Sequence, residues 1–317
     1  MRVHLVTGCL GFLGRPLVHA LLARGDVVYG VDAETYAADL KWRDEMLGRG
    51  DFIYRKGRCE ELTHLPDVDF VFHLAAETHV DNSLTDASTF LTSNVLGTHR
   101  LLDLLRGKRA SKAPTLIHVS TDEVFGPSHF PKLPEDRLNP RNPYAASKAA
   151  AEHLVTAYAA TYGLAARIVR PTNLYGEGQY PEKLIPRAVR RISRGLPMPI
   201  HGDGSATRSW LSVHDAVDGL LTVADFGKDG EAYHMGGNTV ASVLRVVSAI
   251  AEVLGVPPQH YFDGPNPIAE FEYQRPGMDV SYALDDLGTR RLGWHPLGNF
   301  FHDLPALVDL LKDEPYR

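Results

Sequence analysis

Val3-His4-Leu5-Val6-Thr7-Gly8-Cys9-Leu10-Gly11-Phe12-Leu13-Gly14 carries the reading of the fold. Its first residues form a short apolar run suited to a buried strand. Its second half spaces glycines at 8, 11 and 14 ahead of a stretch with helical period. Glycine is needed where the chain turns with positive φ, where backbone approaches a pyrophosphate and where helix packs on strand. A glycine triplet alone is a weak signal. Here it is joined by Asp32, which ends a second apolar run 18 residues past Gly14. A carboxylate there can accept hydrogen bonds from both hydroxyls of an adenosine ribose. It also repels a 2′-phosphate, and Ala33-Glu34 adds no cation to offset that, so the expected cofactor is NAD rather than NADP. Cys9 reads as a small residue within the turn, with no second cysteine near it in sequence.

Apolar runs and helical-period stretches alternate outward from this loop: 3–6 then 13–24, 27–31 then 36–47, 69–74 then 86–106, 116–120 then 143–161, and 166–170. That rhythm gives a Rossmann-type α/β fold, a doubly wound parallel sheet covered by helices on both faces. Right-handed crossovers bring the C-terminal strand ends to one edge, where ligands bind. From about 171 the segments shorten and are punctuated by Pro and Gly, as in Gly195-Leu196-Pro197-Met198-Pro199, Gly202-Asp203-Gly204 and the loop 257–267. We therefore expect a cofactor domain over 1–170. Residues 171–317 are expected to be mainly a smaller substrate-binding lobe, with room for strands that return to the sheet.

The chain has 317 residues, 44% hydrophobic and 23% charged, enough to bury a sizeable core. Its formal charge of −6 gives no global attraction to nucleic acid or anionic membrane. Cys9 and Cys59 are the two cysteines, too few for a disulfide framework or a Cys-based zinc site. The 15 histidines, among them His73, His79, His118, His201 and His214, form no HExxH or comparable spacing, so no metal is expected. A strand beginning at Val3 leaves no room for a signal peptide before the fold, and no run approaches 18 apolar residues. The expected setting is the cytoplasm, with no membrane span.

Two further motifs fall at the same sheet edge. Pro143-Tyr144-Ala145-Ala146-Ser147-Lys148 opens a helix, with Asn142 as N-cap and Pro143 in the first turn. Tyr144 and Lys148, four apart, share a helical face. An adjacent ammonium and a cationic nicotinamide would favour the phenolate, letting Tyr144 accept a hydroxyl proton. Upstream, Val119-Ser120-Thr121-Asp122-Glu123-Val124-Phe125-Gly126 ends a strand in two adjacent carboxylates. At a buried strand end one of them stays protonated while the other ionises, which supplies a general acid and a general base.

Together these residues resemble the extended short-chain dehydrogenases/reductases, and Ser120 through Gly126 looks like the signature of the dTDP-glucose 4,6-dehydratases. His73-Leu74-Ala75-Ala76-Glu77-Thr78-His79-Val80-Asp81, Tyr175-Gly176, Tyr180-Pro181-Glu182-Lys183-Leu184-Ile185-Pro186, Arg208-Ser209-Trp210, Arg275-Pro276-Gly277 and Thr35-Tyr36-Ala37 are similar to the same family, so the likeness covers nearly the whole chain. It implies an NAD-dependent hydro-lyase of deoxysugar biosynthesis acting on a nucleotide-diphosphate sugar, with base and hexose left open. Tyr144 would deprotonate the sugar 4-hydroxyl with Thr121 hydrogen-bonded to it, Glu123 would remove the C5 proton and Asp122 would protonate the departing C6 hydroxyl. Leu74, Ala75 and Ala76 would close over the cofactor. Thr78, Asn173, Lys183, Leu184, Arg208 and Asn238 would contact the substrate, Lys183 and Arg208 serving the phosphates. Family members often dimerise through the helices at 91–106 and 143–161, so a homodimer is expected.

The chain departs from the family at several points. Arg58-Cys59 stands where an acid-apolar pair recognises adenine. Met278-Asp279-Val280-Ser281-Tyr282 replaces a His-Asp-Arg-Arg-Tyr-like run. His201 stands for a tyrosine and Leu174 for an asparagine, and the loops around 57–68 and 126–140 are shorter. The competing readings are a nucleotide-sugar 4-epimerase or a uronate decarboxylase, which share Thr121, Tyr144 and Lys148 but need no paired acids. An NAD-sensing regulatory protein would keep the glycine loop without the Tyr144/Lys148 pair.

Overall fold

Alternation along β1 (Val3–Thr7) sends Leu5 into one apolar cluster and Val6 into another, so both faces of this strand are covered. The computed structural model describes residues 1–108, 113–128, 130–256, 269–272, 281 and 283–312. Beside β1 lie β2 (Val27–Asp32), β3 (Phe52–Lys56), β4 (Phe70–His73), β5 (Thr115–Val119) and β6 (Ala166–Pro171). With β10 (Ala232–Met235) they form a seven-stranded sheet of order β10-β6-β5-β4-β1-β2-β3. Every pairing in it is parallel. Strand order reverses between β1 and β4, which opens a crevice at their C-terminal ends.

One face is covered by α1 (Gly14–Ala23), α2 (Leu40–Met46) and α8 (Val213–Phe226). The other carries α5 (Gly97–Arg106) and α6 (Pro143–Tyr162). Ahead of α5 run α3 (Val80–Thr85) and α4 (Ala87–Phe90), and α4 continues without a break through a π-helical stretch, Leu91–Leu96, into α5. Strand β3 is an element that the apolar rhythm of the sequence does not announce. It reads Phe-Ile-Tyr-Arg-Lys, with Phe52 buried and Arg55 and Lys56 exposed, as an edge strand requires.

Beyond β6 come β7 (Asn173–Tyr175), β8 (Met198–His201), β9 (Thr207–Ser212), β11 (Thr239–Ser242) and β12 (Ala269–Glu272). They make a three-stranded sheet, β11-β9-β7, and a pair, β12-β8. Helices α7 (Leu184–Ile192), α9 (Val243–Val253) and α11 (Phe300–Lys312) close a separate apolar core over these strands, around Ile185, Trp210, Ile250 and Phe300. The short α10 (Leu287–Arg290) packs on β10 instead. The chain after 171 thus builds the smaller core and also gives β10 and α8 to the main sheet. The family-like run 275–277 and its departures Met278, Asp279, Val280 and Tyr282 lie outside the described residues.

Candidate active site

The turn after β1 is fixed by steric necessity. Gly8 has φ +71° and its N–H donates to the Val31 carbonyl at 2.8 Å. A Cβ on Gly8 would lie 2.8 Å from the Ala75 nitrogen, and one on Gly14 would lie 2.1 Å from the Gly8 oxygen. No other residue fits either place. Asp32 is buried, its Oδ2 accepting from Leu10 N–H at 3.0 Å and its Oδ1 from Glu34 N–H at 2.8 Å. Burial pushes its pKa up, and these two amides oppose the shift. The carboxylate therefore ties the glycine loop to the end of β2. A cleft opens between this loop and the 74–76 segment, and every residue that the sequence pointed to for the cofactor borders it, from Gly8 to Lys148. A backbone cradle closed to side chains, beside a fixed carboxylate, fits the pyrophosphate and adenosine ribose of NAD.

At the far end of the cleft, Asn142 caps α6 by accepting from Ala145 N–H at 2.8 Å. Pro143 fills the first turn, which turns Tyr144 and Lys148 towards β5. The Lys148 ammonium donates to the Val119 carbonyl at 2.6 Å, and burial lowers its pKa to about 8. Tyr144 departs from expectation. Burial, then the charges of Glu123 and Asp122, push its phenol well above the ordinary range, with only the Thr121 hydroxyl opposing them. The ammonium expected to lower it is bonded to a backbone carbonyl.

Thr121 begins a tight helical turn, Asp122–Phe125, accepting from Glu123 N–H at 3.3 Å and donating to Asp122 Oδ1 at 3.2 Å. Asp122 is 3% exposed and its Oδ2 has no hydrogen-bond partner among the described residues. Burial, reinforced by the Glu123 charge, pushes its pKa up to about 7. Glu123 is less buried, and its Oε2 accepts from Asn142 Nδ2 at 3.0 Å. One acid is thus held near neutrality as a proton donor while its neighbour is hydrogen-bonded as an acceptor.

The π-helical stretch braces this arrangement. Buried Asn94 accepts from Glu77 N–H at 2.8 Å and donates to the Glu77 carbonyl at 3.0 Å and to Ser147 Oγ at 2.8 Å. Ser147 in turn donates to the Tyr144 carbonyl at 2.7 Å. Below them His73 bridges Thr7 and Thr98, and burial lowers its pKa to about 3, so it is a neutral strut.

Of the residues that the resemblance implied for substrate, Thr78, Thr121, Asn173 and Lys183 border the cleft. Lys183 Nζ donates to the Thr78 carbonyl at 3.2 Å across its mouth. Three others do not border it. Leu184 packs on the smaller core. Arg208 donates to the Thr207 carbonyl at 2.7 Å and lies close enough to Asp122 to oppose the rise in its pKa. Asn238 directs its amide to the carbonyls of Pro296 and Gly298. Ser93, Thr172, Gln179 and Glu60 also line the cleft, and no motif reading singled them out. Among the described residues no group of three or more His, Cys, Asp or Glu side chains is placed to hold a metal ion. No described helix is long and apolar enough to cross a membrane.

The profile of the NAD-dependent epimerase/dehydratase family matches residues 4–236. The chain is 38% identical over 314 residues to the low-salt glycan biosynthesis protein Agl12 of Haloferax volcanii, covering 96% of this chain and 97% of that protein. It is 37% identical over 330 residues to a dTDP-glucose 4,6-dehydratase of Xanthomonas campestris, covering 98% and 93%. The crystal structure of DesIV, a dTDP-glucose 4,6-dehydratase from Streptomyces venezuelae with NAD bound, superimposes with a TM-score of 0.90 at 33% identity, covering 98% and 97% of the two chains.

Proposed function

This chain belongs to the NAD-dependent epimerase/dehydratase family, and we propose that it is a nucleotide-sugar 4,6-dehydratase, converting an NDP-hexose to the NDP-4-keto-6-deoxyhexose and water. The observation that carries this reading is the acid pair: Asp122 is buried with a pKa near 7 and Glu123 is held beside it by Asn142. An epimerase or decarboxylase has no need of a proton donor matched to a departing hydroxyl. The glycine loop and Asp32 would hold NAD, which would supply the redox chemistry as acceptor of a hydride from sugar C4 and donor of it to C6. Tyr144 would accept the proton of the sugar 4-hydroxyl once the positive charge of a bound nicotinamide offsets the burial and acid charges that hold its phenol up, while Thr121 hydrogen-bonds the same oxygen. Glu123 removes the C5 proton, made acidic by the C4 ketone, and Asp122 protonates the C6 hydroxyl as it leaves. Glu123 then returns its proton to C5, and the proton taken by Tyr144 balances the one given by Asp122.

Lys183 at the cleft mouth serves the diphosphate, and Thr78 and Asn173 contact the substrate. Residues 1–170 are assigned mainly to the cofactor and 171–317 mainly to the sugar nucleotide. We place the protein in the cytoplasm as a homodimer. Leu91 and Leu96, each more than half exposed, support a pairing surface on the α4–α5 rod beside α6. The reading is tested by incubating the protein with dTDP-, UDP-, CDP- and GDP-hexoses and recording product mass. Loss of one water with no net NADH is expected, with dTDP-glucose the first substrate to try. An unchanged mass with an inverted stereocentre, or loss of carbon dioxide from a uronate, would overturn it.

A further inference from the structure

Glu34 lies just outside the cleft, yet the structure builds an elaborate setting around it. It is the one described non-glycine residue with positive φ, at 54°, a conformation disfavoured for a glutamate and maintained only where surroundings enforce it. Its Oε1 accepts from Arg43 Nη1 at 2.5 Å and from Tyr54 OH at 2.9 Å, and its Oε2 lies 2.6 Å from Lys56 Nζ. Its side chain is 8% exposed though the residue as a whole is only partly buried, and Lys56 first, then Arg43 and Tyr54, hold its pKa down at about 2. The position of those cations gives the arrangement its meaning. Lys56 pairs with Asp32 in the β2–β3 register, Gly57 N–H donates to the Asp32 carbonyl at 2.8 Å, and Gly57 and Arg58 line the cleft. Lys56 therefore neighbours Asp32 across the strand pair, and Arg43 is tied to the same corner through Glu34, whose own N–H donates to Asp32, on the side where a 2′-phosphate would lie.

We infer that Glu34 is a cofactor-specificity residue: by occupying Arg43 and Lys56 it withholds from NADP the cations that would otherwise accept its 2′-phosphate. Asp32 repels that phosphate directly, and Glu34 removes its compensation. Arg43 is also held by Asp44, through Nε at 2.9 Å and Nη2 at 2.7 Å, so Lys56 is the cation that loss of Glu34 releases more fully. The inference rests on the reading that this cleft binds NAD.

The test is equilibrium binding of NADH and NADPH, followed by nucleotide fluorescence, to the wild-type chain, E34Q and the triple variant E34Q/R43Q/K56Q. E34Q is expected to tighten NADPH about tenfold while leaving NADH within about twofold, and the gain is expected to shrink with added salt and vanish in the triple variant. Glu34→Gly, which suits the positive φ without strain, repeats the test with the backbone relaxed. Unchanged NADPH affinity in E34Q and E34G with NADH binding intact overturns the inference. So does a gain that survives in the triple variant, because Glu34 would then act through its own charge. A wild-type protein that binds neither nucleotide overturns the cofactor reading of the cleft itself, separately from the role of Glu34.

Discussion

Asp122 and Glu123 are adjacent in the chain, but their surroundings divide the labour between them. Asp122 carries its proton up to about pH 7 because burial and the neighbouring charge both penalise ionisation. Dehydration that relies on this proton is expected to slow as pH rises through about 7, and Asp122→Asn is expected to cost roughly 10²–10⁴ in kcat. The same shift bears on stability. A carboxyl whose folded pKa is raised binds more protons folded than unfolded, so its contribution is greatest below the ordinary Asp range and is lost as pH rises to about 7. Asp122→Asn should therefore melt higher than the wild-type chain at pH 8, with little difference at pH 4; a lower melting temperature at pH 8 counts against the buried-acid assignment. Asn142 joins the cap of α6 to Glu123 through one amide group. Asn142→Ser keeps a capping oxygen but drops the donor to Glu123. It should leave the melting temperature nearly unchanged and lower kcat about tenfold with KM within about twofold. A fall in stability that accounts for the loss of rate would make Asn142 a cap and nothing more.

Among the elements, the strand, glycine loop and helix at the N-terminus were legible because each physical need has its own residue type. Gly14 illustrates this, since a Cβ there would overlap the Gly8 carbonyl. Gly14→Ala is expected to abolish NADH binding in a fluorescence titration, and tight binding by that variant would contradict the cradle. The helix from 86 to 106 was equally legible as a helix, but its π-helical stretch was not. A single wide turn changes which side chains face the cleft without altering composition or overall period. Ser93 lines the cleft and Asn94 braces the Glu77 loop against α6 for that reason. Asn94→Leu leaves the Glu77 N–H and Ser147 without their partner and should cost about 2–4 kcal/mol in urea unfolding. Strand β3 escaped the sequence because its exposed Arg55 and Lys56 break the apolar run. Tyr144 borders the cleft as its motif implies, but its electrostatics were not legible, because they depend on burial and on how near Glu123 and Asp122 stand.

Over the whole molecule, one sheet edge gathers loops from strands far apart in sequence: 8–14 after β1, 74–78 after β4, 121–123 after β5 and 172–183 after β6. The parallel topology explains why motifs spread over nearly 180 residues converge. Composition and spacing disclosed the main sheet and its ligand edge, whereas the contacts of Arg208 and Asn238 depend on packing between separate elements, which no local pattern encodes. Stability has a comparable long-range lock. Arg170 on β6 meets Glu152 on α6 at 2.6 Å with both side chains buried, and its Nη1 donates to the Pro134 carbonyl at 2.9 Å. Glu152→Leu should destabilise the fold by about 3–5 kcal/mol in urea unfolding by leaving a buried cation unpaired. The central claim is that oxidation at C4, elimination across C5 and C6 and reduction at C6 occur within one cleft. It is tested most directly with dTDP-glucose deuterated at C4 and product analysis by mass spectrometry and NMR. The account requires a product lighter by one water that retains the deuterium at C6. A product without the label, or one that keeps its water, would contradict it.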